Sequence, residues 1–139
     1  MFTLDLSPTY RLAVTLHVRG ADGQIVPETF TAEFLRMGPE AFEAYRETIH
    51  EQNLSDQDIA RHVLRGWDDL RDGAGHPVPF NDQTREALLR GIQGAAVAVA
   101  RTYLDSVLEE VRKNWLPPVA IGPAAEPVTP TPSGPTTIP

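Results

Sequence analysis

Arg11-Leu12-Ala13-Val14-Thr15-Leu16-His17-Val18-Arg19-Gly20-Ala21-Asp22-Gly23 decides how the fold begins. Leu12, Val14, Leu16 and Val18 alternate with Arg11, Ala13, Thr15, His17 and Arg19, the period of two that marks a strand with one buried face. Asp22-Gly23 between apolar runs signals a hairpin, because glycine reaches positive φ without strain. The return strand is expected over residues 25–35, with Phe30, Ala32 and Phe34 on one face and Thr29, Thr31 and Glu33 on the other. Pro27 cannot donate a ladder hydrogen bond and belongs at an edge or a bulge. A lone hairpin is marginal in water, so its apolar face must be covered by elements later in the chain.

Those later elements read as helical. Gly38-Pro39-Glu40 opens a helix with proline in the first turn, and Phe42, Tyr45 and Ile49 form its apolar stripe. Asn53 lies in a break. A second helix opens at Ser55, a capping residue with Asp58 three positions on, and its stripe is expected to run through Ile59, Val63, Trp67 and Leu70. Residues 72–80, with two glycines and two prolines, form a loop. Asn81 or Asp82 caps a third helix carrying Leu88, Leu89 and Ile92. Gly91 and Gly94 predict a break or kink, each costing about 1 kcal/mol in a helix relative to alanine. A last helix runs to about Asn114, with Val97, Ala100, Leu104, Val107, Leu108 and Val111 on one side. From Pro117 the composition changes: eight of the 13 prolines fall in the final 23 residues and Glu126 is the only charge there, a pattern suited to extended conformations or a linker. The expected fold class is therefore α+β: an N-terminal β-hairpin packed on a bundle of about four α-helices over residues 1–116, then a disordered, Pro-rich tail over 117–139.

The totals narrow the function. With 139 residues, 41% of them hydrophobic, the chain has material for one core and a tail. A net charge of −7 and scattered arginines argue against binding nucleic acid, whose phosphates select a basic stripe, and favour protein partners. The absence of cysteine excludes disulfides, thiolate metal sites and a cysteine nucleophile. The start of the chain lacks the basic and apolar regions of a signal peptide. The longest apolar run, residues 95–100, is far short of the roughly 20 residues of a membrane span.

No constellation for catalysis stands out. His17, His50, His62 and His76 have no metal-ligand spacing and read as surface or structural residues. Asp68-Asp69-Leu70-Arg71-Asp72-Gly73 puts a leucine at a calcium-ligand position and lacks the distal glutamate. The glycines of residues 72–75 follow a helix and end in His76-Pro77, unlike a phosphate-binding loop. Glu109-Glu110 is expected on a solvated helix face. The chain is expected to be no enzyme and to need neither metal nor cofactor; a small hydrolase or metal enzyme is the weakest alternative. Three aromatics matter instead. Trp67 is expected in the core, Phe80 as a staple beside a helix cap, and Trp115 as a contact residue.

In order and spacing, Phe30-Thr31-Ala32-Glu33-Phe34, then Gly66-Trp67-Asp68-Asp69, then Asp72-Gly73-Ala74-Gly75-His76-Pro77-Val78-Pro79-Phe80-Asn81, then a leucine-bearing helix and a long amphipathic helix with Tyr103 resemble one family. The resemblance covers roughly residues 9–114, is most specific over 66–80, and is to the tail assembly chaperones of long-tailed, siphovirus-like bacteriophages and prophages. It implies a protein that binds the long helical tape measure protein, keeps it soluble while tail-tube subunits assemble on it, acts in the host cytoplasm and leaves before the virion is complete. It also implies a link to the major tail tube protein through a longer, frameshifted form, whose existence the protein sequence leaves open, as it does self-association into a homo-oligomer. No nucleic-acid or membrane partner is implied. The alternative is a structural tail or head–tail connector protein retained in the virion. The candidate partner-contact residues are Val78, Phe80, Tyr103, Leu104, Leu108 and Trp115.

Overall fold

A computed structural model of the chain describes residues 1–115. The expected tail at 117–139 lies outside the described residues. The elements are β1 (Thr9–Arg19), β2 (Ile25–Leu35), α1 (Pro39–Gln52), α2 (Asp56–Val63), β3 (Leu64–Asp68), α3 (Asp82–Gly91) and α4 (Ala95–Trp115). The fold is α+β, an antiparallel sheet in the order β1-β2-β3 accompanied by four helices. The chain divides into two compact units, Met1–Leu104 and Asp105–Pro139. The sheet, α1 to α3 and the start of α4 make up the first; the described part of the second is the remainder of α4.

The hairpin forms as the alternation demands. β1 and β2 pair from Thr9 opposite Leu35 to Arg19 opposite Ile25. The turn closes through Gly20 N–H donating to the Gln24 carbonyl at 2.8 Å, with Gly23 at φ 86°. Pro27 sits opposite His17, in the half of β2 that has a partner on one side only, where a missing donor costs no ladder bond on the open side.

The helix punctuation follows the capping residues. Ser55 accepts from Asp58 N–H at 3.2 Å while the Asp58 carboxylate accepts from Ser55 N–H at 3.1 Å, a complete capping box. Asn81 is the cap of α3 and exchanges the same pair of bonds with Thr84. Asn53 ends α1 in the left-handed conformation. Gly94, at φ 80°, lies in the break that separates α3 from α4.

The second helix differs from expectation. It ends at Val63, and Leu64 turns extended at φ −84°, ψ 116°. Trp67 and Leu70 therefore do not continue its stripe; residues 64–68 add a third strand to the open edge of β2. The register has Phe34 opposite Leu64, Glu33 opposite Gly66 and Ala32 opposite Trp67, with a bulge between Glu33 and Phe34. The bulge puts Leu64 and Trp67, three residues apart, on the same face of the sheet. Unpaired backbone groups along β2 supply the driving force that a local periodicity cannot show.

The core lies on one face of the sheet. Val14, Leu16, Phe30, Ala32 and Phe34 from the hairpin are buried, together with Phe42, Ile59, Ala60, Val63, Leu64, Leu89 and the α4 residues Ala95, Ala96, Val99, Ala100 and Tyr103. The Tyr103 ring rests 5.4 Å from Phe34 and 6.2 Å from Tyr10, centroid to centroid. The opposite face is polar: Thr9 Oγ1 donates to Glu33 at 2.6 Å, Thr15 and Thr29 share a hydrogen bond of 2.9 Å, and Arg11 pairs with Asp68. Gly66 lies beneath the Glu33 side chain, where an added Cβ would stand 2.7 Å from a carboxylate oxygen. α2 and α3 are joined by a polar seam: Arg61 Nε donates to Glu86 at 2.7 Å and Nη2 to Gln57 at 2.8 Å, while Gln57 Nε2 donates at 2.9 Å to the Leu89 carbonyl near the end of α3.

Gly66→Ala is expected to destabilise the chain by about 1 kcal/mol by displacing the flexible Glu33 carboxylate. In the Glu33→Ala background the same change is expected to cost measurably less, the coupling being read by urea denaturation of the four proteins.

Two titrations act in one direction. His62 stacks on Tyr45 at 4.7 Å, and burial, then the Arg65 charge, holds its pKa below the ordinary imidazole value. The Glu86 carboxyl is held low by its hydrogen bond from Arg61. In each case the unfolded chain takes up protons first as the pH falls, so both contributions shrink with acidity. The His62 contribution is whole above about pH 6.5 and declines below it; that of Glu86 declines through the ordinary carboxylate range and below. Stability measured in urea at a series of pH values should fall in these two windows, with the upper step absent in His62→Gln.

Candidate protein-binding surfaces

The loop after β3 is built around Trp67. Asp69 adopts the left-handed conformation at φ 62° and turns the chain out of the strand. Arg71 and Pro77 then bridge, Val78 N–H donates to the Leu70 carbonyl at 2.9 Å, and Asp72 Oδ1 accepts from the N–H groups of Ala74 and His76, both at 2.9 Å. The Asp72 carboxylate thus serves the turn's own backbone, and Gly75, at φ 84°, completes it. Trp67 is half-buried; its indole N–H donates to the Val78 carbonyl at 2.8 Å, and its ring meets Phe80 edge-on at 4.9 Å and Phe30 edge-on at 6.3 Å. Phe80 thus packs on Trp67. Val78 and Phe80 are both half-buried and stand together at this indole.

The α4 residues divide differently. At about 100° per residue, Ala96, Val99, Ala100 and Tyr103 point one way, into the core. Tyr103 is 0% exposed and so faces away from any partner. Leu104, half-buried, lies about 100° farther round the helix. Leu108, Val111 and Trp115 continue from it at spacings of four, three and four, and are 51%, 56% and 77% exposed. Val111 is not among the contacts expected from sequence, although its spacing from Leu108 places it with them. Among the described residues of the Asp105–Pro139 unit, then, three consecutive apolar positions lie exposed on one helix face. Flanking them, Lys113 pairs with Glu109 at 3.5 Å, whereas Asp105 and Arg112 form no ion pair among the described residues. At the other end of the chain Phe2, Leu4 and Leu6 are also exposed.

No family model, no curated protein and no solved structure matches the chain. Among the described residues no helix is long and apolar enough to cross a membrane.

Trp67→Phe keeps an aromatic ring against Phe80 but removes the donor to the Val78 carbonyl. It should cost about 0.5–1.5 kcal/mol and accelerate amide exchange across residues 70–78, measured by hydrogen–deuterium exchange. Unchanged exchange there would mean that the Asp72 turn holds the loop without the indole.

Proposed function

We propose that the chain is a tail assembly chaperone of a siphovirus-like phage or prophage, binding the tape measure protein in the host cytoplasm and keeping it soluble while tail-tube subunits assemble. The observation that carries this reading is the uncovered face of α4, Leu108, Val111 and Trp115, on a helix whose preceding residues are locked into the core. Such a face suits a client made of long helices with apolar stripes, which is bound helix against helix. The ordered run at residues 66–80 supports it as well: the Gly-Trp pair, the Asp-Gly turn and the Val-Pro-Phe segment form one interlocked unit around Trp67, so the motif on which the resemblance rests is a structural module. A net charge of −7 suits a protein that must keep an aggregation-prone client in solution. The link to the major tail tube protein belongs to the same proposal.

Co-expression with the tape measure protein encoded beside it should raise that protein's soluble yield several-fold and give a complex on co-purification. Leu108→Asp with Val111→Asp should abolish the rescue while leaving the circular dichroism spectrum and, at protein concentrations low enough to exclude self-association, the urea midpoint close to those of the parent, because neither residue is in the core. No effect of the parent chain on client solubility would refute the reading. Recovery of the chain at stoichiometric level from purified virions would assign it to the tail or connector structure instead.

A further inference from the structure

The uncovered face of α4 carries a charge pattern that selects an occupant. Leu108, Val111 and Trp115, all in the Asp105–Pro139 unit, follow the three–four spacing of a coiled-coil seam. Asp105 and Arg112, seven residues apart, stand on one flank of that seam, about 10 Å apart along the axis. Val107 and Asn114, both uncharged, occupy the other flank. A second α4 laid antiparallel across the first, with Leu108 of each copy against Val111 of the other, brings Asp105 of each copy beside Arg112 of the other. The two-fold axis therefore makes two ion pairs from two charges that have no ion pair within the described residues. A parallel pairing sets Arg112 beside Val107 and leaves both charges unmatched.

We propose that the chain self-associates through an antiparallel pairing of two α4 helices, sealed by Leu108 and Val111 and put in register by Asp105 and Arg112 of opposite copies. The pairing goes beyond the chaperone reading and stands without it, since it is a property of this chain alone. A pairing over the end of one helix makes a contact smaller than the standard stable interface of about 1,600 Å², so the dimer is reversible and depends on concentration. It covers the face that the client reading uses, which makes self-pairing the state of the chain when no other helix is present.

Analytical ultracentrifugation of the full-length chain across a concentration series is the test. The weight-average mass should rise from 15.3 kDa towards twice that value. Asp105→Arg and Arg112→Asp should each raise the dissociation constant about 10-fold, by replacing attraction with repulsion at two symmetric places. The double variant Asp105→Arg/Arg112→Asp should return it to within about 3-fold of the parent, since the pairs are re-formed with signs exchanged. Circular dichroism confirms that each variant is folded. A chain that stays at 15.3 kDa throughout overturns the proposal. So does association that ignores both single reversals, or a double variant as weak as the singles. These measurements use no tape measure protein, so their failure leaves the co-expression result to be judged separately.

Discussion

The inner face of the hairpin has to be covered, and the rest of the structure can be understood from how that is done. Two paired strands expose Val14, Leu16, Phe30, Ala32 and Phe34 on one side, and in water such a ribbon does not persist alone. α4 supplies cover with small residues: Ala95, Ala96, Val99 and Ala100 are buried and lead to Tyr103, whose ring lies against Phe34 and Tyr10. α2 contributes Ile59, Ala60 and Val63 before the chain turns back as β3 and pairs with the edge of β2 from Thr31 to Phe34. Trp67 then completes the same face and, through Phe80 and the Val78 carbonyl, fastens the next loop to the sheet.

Much of this is legible in residue order, because the deciding forces are local. The alternation of residues 11–19, the Asp-Gly turn, the Ser55 and Asn81 caps and the break at Gly94 all involve groups within a few positions of one another. The third strand is not legible there, for a definite reason. Ile59, Val63, Trp67 and Leu70 have helical spacing, and a bulged strand that keeps Leu64 and Trp67 on one face imitates it. What separates the two possibilities is the unsatisfied edge of β2, some thirty residues earlier. The candidate contact residues of α4 show a similar split. The apolar stripe of α4 can be read from spacing, but a stripe wide enough to include both Tyr103 and Leu104 has two halves, and only packing shows that Phe34 and Tyr10 take the first.

Trp67 and α4 also show how one residue type or one element can serve two ends. The indole contributes apolar area to the core while its N–H fixes a surface turn, which is why a half-buried tryptophan suits the position better than a fully apolar residue. In the turn itself, Asp72 commits its carboxylate to backbone N–H groups, so the acidic, glycine-rich run that superficially resembles an ion-binding loop is explained by turn closure. The charged seam between α2 and α3 works in the same way, Gln57 and Arg61 serving both a helix end and an interhelical pair.

Every buried residue of α4 precedes Leu104, and none of the described residues after Tyr103 is buried. The two ends of this helix are therefore under different packing constraints. Changes before Leu104 are filtered by the core, where one misplaced methyl group is felt. Changes after it touch no buried residue and alter only the exposed surface of the helix. The sheet and the Trp67 module therefore fix most of the sequence before Leu104, whereas the last three helical turns accept substitutions at little cost to the core.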